Sequence, residues 1–252
     1  MKHLPNLLTL GNLFSGCIAI AFILNAQPFL AGYHGAEYWV TGVEQAYWGS
    51  VFILIAAVFD LLDGFVARAL KVFSPIGKDL DSLADVVSFG VAPAMILYKM
   101  LWASIMAEPD AMDVSMIATT PAFLIACFGA IRLARYNVTT PSSGSFTGMP
   151  IPAVGLFIAS FPLINWLNPE IGLYLQNKYL LYAIIGLLSW LMVSKIRFMK
   201  LMPTSFKPAN MWPQLILIIA AVAGWFTLKA VAAPIVFALY IILSLIHKPA
   251  EQ

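Results

Sequence analysis

Residues 51–70 read VFILIAAVFDLLDGFVARAL: an apolar run broken only by Asp60 and Asp63 and closed by Arg68. A helix needs about 20 apolar residues to cross a bilayer, and this stretch has the length and the composition. An Asp near mid-span opposes insertion by ~2.5–3.5 kcal/mol. Bilayer solubility therefore gives no reason for two of them, and chemistry must. The run points to a spanning helix that carries a polar site.

The rest of the chain extends that reading. Of 252 residues, 61% are hydrophobic and only 10% charged, too little charge to cover a soluble domain of this size. Apolar runs near 9–26, 47–69, 80–103, 114–135, 151–167, 179–195, 211–228 and 230–247 predict an all-α polytopic membrane bundle of about eight spans. One membrane domain over 1–252 is expected, with a catalytic core at about 5–200 and a C-terminal helical hairpin in 201–252. The first run is read as a span and not as a cleaved leader, because no small-x-small pattern follows Asn25. With the N-terminus inside, eleven of the fourteen Lys and Arg fall on the cytoplasmic side, leaving Lys99, Lys178 and Lys229 outside. Both termini are then cytoplasmic.

Several classes drop out. A net charge of +2 without a basic, aromatic-interleaved patch gives no footprint for nucleic acid. Cys17 and Cys127 lie in separate apolar runs and read as small packing residues. His3, His34 and His247 fall in tails or loops. Loops are expected at 27–46, 104–113 and 136–150. The Asn137 sequon falls on the inner side, where glycosylation does not occur.

Five of the twelve acids lie between positions 60 and 85. Asp60, Asp63, Gly64, Ala67 and Arg68 stand at i, i+3, i+4, i+7 and i+8, one face of one helix. Gly77, Asp81 and Asp85 repeat the device at intervals of four, and Ser88 and Phe89 continue that stripe. Asp79, beside Lys78 and off the stripe, reads as a helix cap. Two helices joined by a short turn thus face each other with four carboxylates. Hard oxygen ligands without His or Cys favour Mg²⁺ or Mn²⁺ over Zn²⁺. Gly64 and Ala67 leave room for a ligand to approach the backbone. The acids lean toward the cytoplasmic end and no repeat is apparent, which speaks against a cation transporter. Gly77-Lys78 is followed by Asp79, which is no phosphate loop.

The pattern Asp60-x2-Asp63-Gly64-x2-Ala67-Arg68-x8-Gly77-x3-Asp81-x3-Asp85 resembles the signature of the CDP-alcohol phosphotransferase family at every fixed position. The strings P5NLLTLGN12, S88FGVAPA94, R132LARYN137 and F146TGMPIPAVG155 resemble its phosphatidylserine synthase branch. The resemblance implies transfer of a phosphatidyl group from CDP-diacylglycerol to the hydroxyl of L-serine, with release of CMP. It implies two divalent cations on Asp60, Asp63, Asp81 and Asp85, with Asp85 also the general base. Gly64, Ala67 and Arg68 would border the nucleotide together with Asp63. Asn6, Thr9 and Asn12, three apart at the start of the first span, are candidates for the donor headgroup. Arg132 and Arg135, three apart on one face, are candidates for the acceptor carboxylate or the lipid diphosphate, with Ser88 beside them. A homodimer is expected on the same ground. Glycerol 3-phosphate or an inositol phosphate as acceptor is the alternative, and an ether-lipid donor would leave the same signature.

Overall fold

The computed structural model describes residues 3–25, 29–33, 36–40, 43–71, 75–109, 113–138, 148–199 and 208–246. Helix α1 (Leu4–Asn25) leads into a hairpin of β1 (Phe29–Tyr33) and β2 (Ala36–Val40), and then α2 (Val43–Leu70) returns. Next come α3 (Pro75–Asp85), a π-helical turn (Val86–Val91) and α4 (Ala92–Met106). A 3₁₀ stretch (Met116–Phe123) precedes α5 (Leu124–Val138), followed by α6 (Ile151–Leu167), the single turn α7 (Pro169–Gly172) and α8 (Lys178–Val193). Helices α9 (Pro208–Leu228) and α10 (Ala232–Ile246) close the described chain.

A polytopic helical protein is what the composition predicts, and the structure has it. The addition to the helices is β1–β2, antiparallel with Phe29 opposite Val40 and Tyr33 opposite Ala36, in what the sequence presents as an external loop. Its backbone groups satisfy one another across the pair, which a loop of this length otherwise leaves to water.

Five helical runs are long and apolar enough to cross a membrane, or six if a bent pair counts as one span. They are Leu4–Asn25, Ala46–Leu70, Ile76–Met106, Met116–Val138 and Trp212–Ile246. The shortfall from eight has two physical causes. Ile151–Leu167 has 17 residues, and α8 has 16, bent by 78° from the short helix before it. The run from Trp212 to Ile246 is a hairpin: a Cβ placed on Gly224 would lie 2.7 Å from that of Ala232. Eight residues of straight helix would separate them by about 12 Å. The reversal passes through Lys229, whose φ is +53°.

Local chemistry explains several boundaries. Pro75 begins α3, since a missing amide hydrogen costs nothing in a first turn. The helix thus starts five residues before the expected 80, and Asp79 lies inside it, exposed. It does not cap the helix. Asn177 does cap α8, its Oδ1 accepting from the amides of Tyr179 (2.9 Å) and Leu180 (3.2 Å). An ion pair between Lys178 and Glu108 joins the start of α8 to the end of α4.

The interior is apolar and tightly interlocked around Phe89, Leu97, Ile125, Ile158 and Phe161. Leu7, Phe14, Phe65, Ile219 and Phe226 point outward, as hydrocarbon solvent allows. Cys17 and Cys127 are free thiols on this outer face. They do not pack in the core: each sits on the side of its helix turned from its neighbours. His34 and His247 lie outside the described residues, as do positions 139–147 of the expected 136–150 loop.

Candidate active site

The start of α1, the end of α2, α3 and the end of α5 meet at one end of the bundle. There α2 and α3 bring Asp60, Asp63 and Asp81 together, with one carboxylate oxygen of each within 4.8 Å of the others. Asp85 adjoins Asp60 and Asp81 one turn further along α3. The spacing that predicts one carboxylate face on each helix is therefore realised in three dimensions. Four carboxylates so close repel strongly, and the hard divalent cations that such oxygen sets bind would relieve that repulsion. The donor set fits the implied metals.

Helix α1 supports the acids. Thr9 Oγ1 lies 2.6 Å from Asp63 Oδ2 and 3.1 Å from the carbonyl of Pro5. Asn12 Nδ2 donates to Asp85 Oδ1 at 3.3 Å. Both are almost fully buried, which directs their polar ends at carboxylates rather than at open solvent. Asn6 is half-buried in the first turn.

The π-helical turn after Asp85 sets the direction in which the next side chains point. An extra residue in one turn changes the helix phase, and such turns recur at functional sites. The stripe that Ser88 and Phe89 are expected to continue ends here. Ser88 is fully buried, and its hydroxyl donates to the backbone carbonyl of Asn12 at 3.0 Å. It braces α1 from behind and does not reach the carboxylate cluster. Two close approaches hold the turn. A Cβ on Gly16 would fall 2.3 Å from Ser88 Oγ, and one on Gly155 would fall 2.9 Å from Phe89 Cα.

Gly64 differs from both. A Cβ there would meet only Arg68 Nη2, at 4.0 Å. Packing within the chain makes no demand for glycine, so the room beside the acids is open to a ligand. Ala67 next to it is half-buried, and Arg68 is exposed at the end of α2.

On α5, Arg132 and Arg135 part company. Arg135 is exposed. Arg132 turns inward, with Tyr240, Asp85 and Tyr136 as its electrostatic neighbours, and its Nε is buried without a hydrogen-bond partner among the described residues. Lys78 anchors this end of α5, donating to the Asn137 carbonyl at 3.1 Å, while Asn137 Nδ2 donates to Ser82 at 2.8 Å.

Known proteins resemble the chain over most of its length. The family model described as CDP-alcohol phosphatidyltransferase matches residues 2–246. The chain belongs to that family. A CDP-diacylglycerol–serine O-phosphatidyltransferase of Helicobacter pylori is 34% identical over 196 residues, 77% of this chain and 70% of its own. One of Bacillus subtilis is 32% identical over 200 residues, 79% of this chain and 90% of its own. An archaetidylserine synthase of Methanothermobacter thermautotrophicus is 32% identical over 197 residues, 77% and 69% of the two chains. As a member of this family the chain is a transferase.

Two features of the site escape a reading of the sequence. Asn12 appears in it as a headgroup contact, and its pairing with Asp85 spans 73 positions with no local signal. Tyr240 lies in a span that shows only hydrophobicity, yet it is one of the electrostatic neighbours of Arg132.

Proposed function

We propose that this protein transfers the phosphatidyl group of CDP-diacylglycerol to the hydroxyl of L-serine and releases CMP. The observation that carries the reading is the union of the Asp60–Asp63–Asp81 cluster with the inward-facing Arg132. The cluster suits a diphosphate-activating site, and Arg132, half-buried with a buried Nε that has no partner among the described residues, suits a carboxylate or phosphate fork. Three relatives whose names specify a phosphatidylserine or archaetidylserine product support serine as the acceptor.

In this reading Asp60, Asp63, Asp81 and Asp85 hold two divalent cations, Mg²⁺ or Mn²⁺. When bound, these supply positive charge that stabilises the entering and leaving oxygens of an in-line displacement. The residues do the rest. Gly64 and Ala67 admit the nucleotide diphosphate, and Arg68 screens it at the rim. Thr9 fixes Asp63. Asn12 orients Asp85, whose carboxylate takes the serine hydroxyl proton. The serine oxygen bonds to the lipid-side phosphorus, the bond from that phosphorus to the bridging oxygen breaks, and CMP leaves with the electron pair. Arg132 binds the serine carboxylate, and Arg135 meets the lipid phosphate at the interface.

The same reading has eight crossings in one membrane domain: the runs above, with Ile151–Leu167 and α8 as short spans and α9–α10 counted twice. Both termini and the site then face the cytoplasm, by the distribution of Lys and Arg. A homodimer is part of the proposal.

Purified protein assayed for CMP release against a panel of alcohols tests the reading. Serine should be used far ahead of glycerol 3-phosphate, inositol phosphate and ethanolamine. Chelation should stop turnover, and Mg²⁺ or Mn²⁺ should restore it. Equal use of a phosphorylated acceptor, or turnover in metal-free protein, would overturn it.

A further inference from the structure

An apolar cavity of about 480 Å³ lies between α2, α6 and the α9–α10 hairpin, a size within the range of small-ligand sites. Ala153, Ala221, Ala232 and Ala233 leave the room, and Phe157 and Phe237 wall it. Along α6 its lining runs from Ala153 to Leu163, roughly ten residues or about 15 Å of helix. That is about half of a ~30 Å hydrocarbon core, the depth of one leaflet. Leu54 of α2 and Ile218 and Trp225 of α9 line the cavity and are also exposed, so its mouth opens sideways to the bilayer.

The chemistry of the lining narrows the occupant. Ser160 Oγ donates to the Phe157 carbonyl at 2.6 Å and Tyr240 Oη to the Met199 carbonyl at 3.0 Å, so both protons are spent. Gln214 and Lys229 are the other polar side chains of the lining. The body of the cavity therefore suits an aliphatic chain, and the cation at one end suits an anion. Lys229 is exposed and has no ion-pair partner among the described residues. Its φ of +53° belongs to the region where glycine or asparagine usually ends a helix. The backbone thus makes no call for lysine there, and the ammonium group has to supply the reason.

The Lys229 end lies away from the carboxylates. Its neighbour Ala230 packs with Leu163 and Ile164 of α6 and with Tyr47 at the start of α2. From Tyr47 to Asp60 is about 20 Å along that helix. A phosphate held at Lys229 is therefore not the diphosphate of a lipid seated on the acids.

We propose that the cavity is a second lipid site: one acyl chain of an anionic phospholipid, from the leaflet opposite the carboxylates, lies in it with the phosphate on Lys229. This lipid is not consumed. It fills the seam between α2, which carries Asp60 and Asp63, and the hairpin, and so braces the helix behind the candidate site. The assignment is independent of which alcohol is the acceptor.

The test strips the full-length protein of lipid in mild detergent and titrates it with phosphatidylglycerol or phosphatidylcholine. Native mass spectrometry counts the bound lipid, and melting is followed in parallel. Wild type should hold one phosphatidylglycerol about fivefold more tightly than phosphatidylcholine, as one cation beside an anionic headgroup implies, and should melt higher when it is bound. Lys229→Gln should lower the phosphatidylglycerol affinity about fivefold and leave that for phosphatidylcholine unchanged. Ala233→Phe, which fills the cavity, should remove the tight site for both lipids. Both variants should keep the KM for CDP-diacylglycerol within about twofold of wild type. Equal affinity of wild type for the two lipids, or an unchanged phosphatidylglycerol affinity in either variant, would overturn the proposal and leave Lys229 an ordinary interfacial anchor. A rise in the donor KM matching the loss of phosphatidylglycerol would give the cavity to the donor's own chain and overturn it as well. Should Ala233→Phe not fold, Ala221→Phe on the α9 wall is read in the same way.

Discussion

The end of the bundle built from α1, α2 and α3 and the hairpin built from α9 and α10 work by different physics. In the first, residue identity is decisive. Asp63 has Thr9 and Asp85 has Asn12, so exchanging any of the four removes a buried polar partner. In the second, most positions need only be apolar: Ile218, Ile219, Val222 and Phe226 face outward on α9. A bilayer accepts many side chains on such a surface but few inside a charged cluster. Tolerance to substitution should therefore be steeply uneven within one small membrane protein.

The sharpest way to break that contrast is Asp85→Asn. We expect transfer to fall by about a thousandfold, the scale of a lost general base, with the melting temperature in detergent close to wild type. Substantial turnover in the purified variant would remove Asp85 from the proton transfer. Gly16→Leu should come next. Its side chain must displace Ser88 from the Asn12 carbonyl, and overpacking of this kind costs about 1–3 kcal/mol. Thermal denaturation and CMP release should both report a loss; unchanged melting would mean that α1 and the π-helical turn have room to separate. The smallest effect belongs to Ile219→Ala on α9, at a site 64% exposed. Stability should stay within about 0.5 kcal/mol and turnover near wild type. A large loss there would erase the contrast.

The sequence predicts the carboxylate faces because helical spacing is a local property. Asp60 and Asp63 sit on one rod, Asp81 and Asp85 on the next, and periodicity of 3.6 suffices to align each pair. The helical membrane architecture is equally legible from the apolar runs. Two things are not. The π-helical turn puts one more residue into a turn than that periodicity assumes, so Ser88 lands against α1 instead of on the acid stripe. The partners of Asp63 and Asp85 lie 54 and 73 positions away, and no local pattern links a Thr or Asn on one span to an acid on another. The C-terminal hairpin is legible as well, since Lys229 separates the last two apolar runs, and the approach of Gly224 to Ala232 agrees with it.

The six-residue stretch Val86–Val91 makes α3 and α4 two rods of different phase welded end to end. Ahead of the weld the carboxylates look at α2; within it Phe89 packs closely against Gly155 of α6. Deleting one residue from the stretch would swing α4 by about 100° relative to α3, pulling its apolar face out of the bundle while the acid pattern upstream stayed intact. The alignment of the reactive end with the body of the protein is thus held by a residue count, and relatives should conserve the length of this stretch more strictly than its letters.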